Sequence, residues 1–176
     1  MELAELIEAR GALLFGEFTL TSGAKSSYYL DLRKLLGDGR SFRRAAELLA
    51  GRARELEPFD VAVGVATAGI PWASAIALLM GKGVAYVRSE PKAHGTGSLV
   101  EGEPRGKCVV IDDVATTGGS LERAVLAVRS LCEVRGALVL VDRLQGARER
   151  LAALGVRLVS VATVEEIMAN YKGQRR

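Results

Sequence analysis

Several features that would place this chain in a membrane, in a secretory route or on nucleic acid are missing. No apolar run approaches the ~20 residues of a membrane span; the richest stretch, residues 70–80, is short and contains Ser74. The opening Met1-Glu2-Leu3-Ala4-Glu5 is acidic and lacks the basic segment of a signal peptide. Cysteine occurs only as Cys108 and Cys132, which fall in an expected strand and an expected helix and are read as reduced core residues. A cytoplasmic protein is the expectation. No run of lysine or arginine marks a nucleic-acid stripe, apart from the terminal Arg175-Arg176, so no nucleic-acid partner is expected. Both common nucleotide loops are lacking: there is no G-x-x-x-x-G-K-[ST], and no G-x-G-x-x-G leads from a strand into a helix. Internal repeats and domain linkers are absent too.

What remains is an ordinary globular composition. Of 176 residues, 49% are hydrophobic and 26% charged, which suits one domain with a sizeable core. The net charge of +3 is compatible with anionic substrates. Arginine greatly outnumbers lysine, which fits either genome composition or a warm habitat.

The hydrophobic pattern predicts alternating strands and helices. Residues 2–10 read as a short helix with Leu3, Leu6 and Ile7 on one face. Residues 13–20 and 27–32 read as extended segments around a turn at 21–26. This opening, residues 1–36, precedes the alternating pattern and is expected to form a small N-terminal hood over the sheet. Residues 40–56 form the clearest amphipathic helix. Strands are expected at 60–65, 84–87, 108–111, 137–141 and 157–161. Helices are expected at 70–80, 121–134, 147–154 and 163–171, with Pro71 tolerated in a first turn. The expected fold is therefore α/β, with a central parallel sheet of about five strands flanked by helices.

From Ser89 to Gly106 the periodicity disappears. Glycines 95, 97, 102 and 106 and prolines 91 and 104 interrupt any regular element. So long a structureless loop in a compact domain is usually functional or disordered. It holds Lys92 and the chain's single histidine, His94, with Arg88 at its base. Such a segment suits a cationic lid over an anionic leaving group; the plainer reading is a solvated loop with incidental charge.

The densest chemistry lies in Val109-Val110-Ile111-Asp112-Asp113-Val114-Ala115-Thr116-Thr117-Gly118-Gly119-Ser120. A buried strand runs into two acids, then into a hydroxyl-rich glycine turn, and a helical pattern follows from Leu121. Open α/β sheets bind ligands at such a place. Backbone N–H groups of residues 115–120 suit an anion, aided by the positive end of the following helix. Asp112 and Asp113 would repel a phosphate but suit a ribose diol, a divalent metal or developing positive charge. Phosphate at one end and sugar at the other implies a sugar phosphate. The plainer alternative is a capped helix after a strand, with the acids as the caps.

This dozen resembles the phosphoribosyl pyrophosphate (PRPP) loop of type I phosphoribosyltransferases. Two further stretches narrow the likeness. Phe15-Gly16-Glu17-Phe18-Thr19-Leu20-Thr21-Ser22-Gly23-Ala24-Lys25-Ser26-Ser27-Tyr28-Tyr29-Leu30-Asp31 is similar to the opening of the orotate phosphoribosyltransferase family. Arg88-Ser89-Glu90-Pro91-Lys92-Ala93-His94-Gly95 resembles that family's flexible catalytic loop, here residues 88–106, and Asp142-Arg143 fits as well. The resemblance covers essentially the whole chain as a single domain, 1–176.

The resemblance implies transfer of a 5-phosphoribosyl group from PRPP to orotate with Mg²⁺, in pyrimidine synthesis. It also implies a homodimer in which the loop of one subunit reaches the other's site. It places PRPP on Asp112, Asp113, Val114, Ala115, Thr116, Thr117, Gly118, Gly119 and Ser120, with Arg88, Lys92 and His94 on the pyrophosphate. Orotate would meet Lys25, Thr116 and Arg143, with Tyr28 and Tyr29 walling the base. Lys92, His94, Asp112 and Asp113 would carry the catalytic chemistry, and Mg²⁺ would be held mainly through PRPP. The plainer readings are a half-buried strand pair for the tyrosines and a surface helix cap for Arg143. Many members of the family carry lysine where this chain has Ala68 and Ser89, so neither position is given a charge role.

Two rivals share the PRPP loop. A purine phosphoribosyltransferase would not need a cation for a ring carboxylate, and Lys25 and Arg143 argue against it. A PRPP-binding regulator would need a DNA-binding region, for which there is no spare length before Leu13.

Overall fold

The computed structural model describes residues 2–19, 23, 25–90 and 98–171. The chain divides into two compact units. The larger runs from Ala46 to Val164; the smaller joins Met1–Ala45 to Glu165–Arg176.

The larger unit is built on a six-stranded sheet. Its strands are β3 (Val61–Val65), β4 (Gly83–Val87), β5 (Val100–Glu101), β6 (Lys107–Ala115), β7 (Glu133–Asp142) and β8 (Leu158–Thr163). In the smaller unit β1 (Leu13–Thr19) and β2 (Lys25–Leu30) form a separate antiparallel pair. The order across the large sheet is β5-β4-β3-β6-β7-β8. Five of these strands are parallel, as expected; β5 adds a short antiparallel edge against β4. That edge was unforeseen because two residues inside a glycine-rich segment carry no period.

The central stretches of the strands are apolar because helices cover both faces. On one face, Val61, Val63, Val65, Val110 and Val139 share a core with Leu121, Ala124, Val125 and Val128 of α4 (Gly119–Val128) and with Ala147 and Leu151 of α5 (Ala147–Ala152). On the other, α3 (Gly69–Met80) packs against β3, β4 and β6 and buries Trp72 and Ile76. The helix α2 (Gly39–Ala53) buries Ala45, Ala46, Leu49 and Ala53, as its spacing predicts, and continues into a 3-10 turn that buries Leu56. Phe42, expected on the same stripe, is half-buried.

In the smaller unit α1 (Leu3–Ala9) buries Leu3, Leu6 and Ile7, and a capping box between Glu2 and Glu5 closes its start. The last helix, α6 (Val164–Asn170), begins one residue later than its pattern suggests because Thr163 still pairs with Asp142 as strand.

Two expectations near the centre are corrected. The helix after the glycine turn ends at Val128, not at residue 134, because Glu133 and Val134 already belong to β7. Cys132 therefore sits in the turn before β7, and β7 starts beside β6 in parallel register. That brings the Cα atoms of Cys108 and Cys132 to 6.0 Å, within disulfide reach, and the two are bonded rather than reduced. Paired cysteines no longer speak for a reducing compartment. No helix among the described residues is long and apolar enough to cross a membrane.

Candidate active site

The sheet order reverses direction between β3 and β6. From β3 the chain moves outward through β4; from β6 it moves the other way through β7. Connections therefore diverge above the carboxyl ends of β3 and β6, leaving a crevice there. Four segments meet along that edge: residues 66–69 after β3, Arg88 after β4, residues 112–120 at the end of β6, and Asp142-Arg143 at the end of β7.

The acid pair lies within the strand, not in the loop after it. β6 continues to Ala115 because β7 continues beside it, with Asp112 opposite Val139, Val114 opposite Val141 and Ala115 opposite Asp142. Each carboxylate folds onto the next backbone amide: Asp113 N–H donates to Asp112 Oδ1 at 2.9 Å, and Val114 N–H to Asp113 Oδ1 at 2.8 Å. Asp112 is 8% exposed. Burial, and then the like charge of Asp113, push its carboxyl well above the usual carboxylate range. Neither acid caps α4, whose N-cap is Gly118 with no side-chain cap bond. The plainer reading of the pair as helix caps is thereby excluded.

Residues 116–118 form the turn into α4. Gly118 adopts φ 80°, a left-handed conformation, and a Cβ there would stand 2.9 Å from Ala147 Cα. Glycine is thus required twice over, by the backbone and by the start of α5. The first helical bond runs from Glu122 N–H to Gly118 O at 2.8 Å, so the amides before it lie in the uncapped first turn of a ten-residue helix. Thr116 is half-buried, while Thr117 and Ser120 are exposed beside that turn. Ser120 Oγ accepts from Arg123 at 3.3 Å. Open amides, hydroxyls and the positive end of a helix dipole together form an anion-binding turn.

The neighbouring segments have separate supports. In the loop after β3 the Ala66–Thr67 peptide is cis, and Ala66 N–H donates to Val87 O at 2.8 Å. A Cβ on Gly69, where α3 begins, would meet the Ile111 carbonyl and Asp112 Cα, so the helix start presses on β6 beside the first acid. Arg88 N–H donates to Leu99 O at 2.8 Å; its guanidinium donates to Glu90 O at 3.2 Å and lies 3.6 Å from Glu101 Oε1. Arg143 is not the surface cap that the plainer reading suggests. It is 6% exposed, its N–H donates to Ala115 O at 2.9 Å, and Gly146 caps α5 instead.

The residues of the smaller unit are described on their own. Lys25 is exposed at the start of β2. Tyr28 and Tyr29 are both half-buried; the Tyr29 ring lies 5.6 Å from that of Phe18, and its hydroxyl accepts from Arg33 at 3.4 Å. Lys92 and His94 lie outside the described residues. The structure thus places the 112–120 run, Arg88 and Arg143 on one edge of one sheet. Two supports escaped the sequence reading: Gly69, one glycine among many, and the Asp142–Arg148 ion pair, for which the sequence offered only an acid and a base six residues apart.

The donor set also bears on metal binding. Among the described residues no group of three or more acidic, histidine or cysteine side chains could cage an ion. Two adjacent carboxylates fit Mg²⁺ that is held chiefly by phosphate oxygens of a substrate, because that ion keeps few protein ligands.

Paired carboxylates followed by an uncapped glycine turn at a sheet switch point have the chemistry expected of a sugar-phosphate site. Residues 34–166 match the phosphoribosyl transferase domain family, so the class is that of the phosphoribosyltransferases. The orotate phosphoribosyltransferase of Aeropyrum pernix is 50% identical over 169 residues, covering 94% of this chain and 91% of that protein. A crystal structure of orotate phosphoribosyltransferase from the same organism aligns with a TM-score of 0.88 over 95% of this chain and 96% of that one. Mycobacterium tuberculosis orotate phosphoribosyltransferase in complex with 5-phospho-alpha-D-ribosyl 1-diphosphate aligns with a TM-score of 0.74 at 29% identity, covering 94% of this chain and 96% of that one. This chain belongs to the orotate phosphoribosyltransferase family.

Proposed function

We propose that the chain transfers the 5-phosphoribosyl group of PRPP to orotate, giving orotidine 5′-monophosphate and pyrophosphate in pyrimidine synthesis. The observation that carries the reading is the end of β6: two adjacent carboxylates, one of them buried, on the strand that leads into an uncapped, glycine-opened helix start. Its N–H groups and the hydroxyls of Thr116, Thr117 and Ser120 hold the 5′-phosphate. Asp112 and Asp113 hold the ribose diol.

The reaction breaks the bond from the ribose carbon to pyrophosphate oxygen and forms a bond to the orotate ring nitrogen. Positive charge develops on the ribose, and the two aspartates stabilise it. Negative charge develops on the departing pyrophosphate. Arg88, Lys92 and His94 receive that charge, and His94, with an ordinary pKa near ~6.5, supplies a hydrogen bond or proton. Amides of residues 66–69 bind pyrophosphate where the family often has lysine. Mg²⁺, when held mainly through PRPP, would supply charge neutralisation of the phosphate oxygens, and Asp112 and Asp113 are the carboxylates that would help to hold it. Arg143 matches the orotate carboxylate with a planar fork, beside Thr116. Lys25 is a second cation for orotate, and Tyr28 and Tyr29 wall the base; residues 1–36 act as the hood.

A homodimer is part of this reading, with residues 88–106 of one subunit serving the partner's site. α3 supports it: its twelve residues carry no charge, and Leu78, at 86% exposure, lies with Leu79 and Val84 on an open apolar surface. A cytoplasmic address is proposed with the pathway.

The test is an ultraviolet assay with PRPP and Mg²⁺ offering orotate, adenine, hypoxanthine or xanthine. Orotate consumption matched by pyrophosphate release is expected. Consumption of a purine in place of orotate would sink the assignment.

A further inference from the structure

Arg143 is buried at the mouth of β7, at the start of a turn with two left-handed residues. Leu144 adopts φ 57°, unusual for a branched aliphatic residue, and Gly146 adopts φ 96°. The turn is braced from behind. Asp142, 0% exposed, accepts Leu144 N–H on Oδ1 at 2.9 Å and the Arg148 Nε–H on Oδ2 at 2.6 Å. Arg148 also donates to Ser160 Oγ on β8 at 3.3 Å. One carboxylate thus ties the left-handed residue after Arg143 to a guanidinium on α5, and the guanidinium is anchored on the next strand.

The Arg148 side chain is 47% exposed and lies behind the turn, so as an ordinary surface pair it would contribute little. Its partner is different: a carboxylate with no exposed surface depends on that charge. Ala147, one residue before Arg148, lies where a Cβ on Gly118 would fall, so the braced segment packs against the glycine turn.

We infer that Arg148 is a positioning residue for the acceptor half of the reaction: through Asp142 it holds the 143–146 turn so that the Arg143 guanidinium meets the orotate carboxylate. This rests on the proposed contact between Arg143 and orotate. Misplacement of a binding group by a fraction of an ångström is expensive in such sites. Loss of the brace therefore acts on orotate more than on PRPP, whose turn is held independently by β6 pairing and the α4 start.

The experiment compares Arg148→Met, Arg148→Lys, Arg143→Ala and Arg157→Met by steady-state kinetics and thermal unfolding. Arg157 is the control: it is an exposed arginine paired with Glu55, away from the turn. Arg148→Met is expected to raise KM for orotate roughly tenfold while KM for PRPP stays within about twofold. Arg148→Lys recovers part of the loss, and Arg157→Met changes neither constant. Ser160→Ala, which removes only the outer anchor, takes the place of Arg148→Met if that variant does not fold, with a smaller rise in the same constant. Unchanged orotate KM in Arg148→Met, or equal loss for both substrates in step with unfolding temperature, overturns the positioning role. An unchanged orotate KM in Arg143→Ala overturns the contact itself, and the inference falls with it.

Discussion

Two buried aspartates close neighbouring strands of this sheet, and their surroundings differ in kind. Asp142 ends β7 against a guanidinium at 2.6 Å and an amide at 2.9 Å. Asp112, near the end of β6, meets the backbone amide of Asp113 and the like charge of that residue, and its pKa rises. The first carboxylate is satisfied within the chain and serves the shape of a turn. The second is costly to ionise in the free protein, and on the proposed function a ribose, a cation or a developing positive charge relieves that cost. Both are buried aspartates; the partner decides whether the acid is satisfied within the chain or costly to ionise.

The largest effect is expected where the second acid is neutralised. Asp112→Asn should lower kcat/KM for PRPP by roughly a hundredfold, measured at saturating orotate. An unchanged value would place Asp112 with Asp142. Gly118→Ala comes next. A methyl group at φ 80° that also presses on Ala147 should raise KM for PRPP roughly tenfold, with a smaller change for orotate. Asp142→Ala should act chiefly on stability, by about 1 kcal/mol, because it leaves the half-exposed Arg148 and the Leu144 amide without their shared acceptor. Urea unfolding would read it, and a neutral result would deny that role.

A covalent staple stands beside these. The Cys108–Cys132 bond joins residues separated by 24 positions, and the glycine turn and α4 lie between them. Cys132→Ala should cost about 3 kcal/mol of stability while leaving turnover at room temperature intact. Intact mass under non-reducing conditions, short of two hydrogens, would verify the bond first.

The smallest effect is in the pH dependence. The folded pKa of Asp112 is raised above its ordinary 3.8. Its contribution to stability is thus fully present below that value and lost as pH rises through the higher folded one. The ligand-free Asp112→Asn protein should therefore be more stable than the parent at neutral pH, with the difference vanishing in acid. Denaturation at several pH values checks the sign.

Much of the site was legible because its chemistry is local. Asp112-Asp113 followed by Thr116-Thr117-Gly118-Gly119-Ser120 lies on one short segment, and a strand running into a glycine turn and a helix has one geometry. Helix α2 and the five parallel strands were legible for the same reason: side-chain period follows backbone period. The misreadings all involve a second segment. Helix α4 was drawn too long because the apolar spacing through Leu131 and Val134 fits either element, and pairing with β6 settled it as strand. The cysteines were read as free because separate elements give no distance between thiols. For Arg143 the sequence supports an orotate-binding fork or a surface helix cap, and it does not show the burial that excludes the cap, because that burial depends on β6 and α5 together.

By itself, then, the order of residues determined the α/β alternation and the run of two acids into a glycine turn before a helix, since each follows from dihedral preference and periodicity along a continuous chain. The tertiary structure alone decided which acid would be satisfied and which left exposed to a ligand, which thiols would meet, and that Arg148 stands behind Arg143. Those outcomes depend on strand order and register, and register is set by the whole sheet rather than by any one segment.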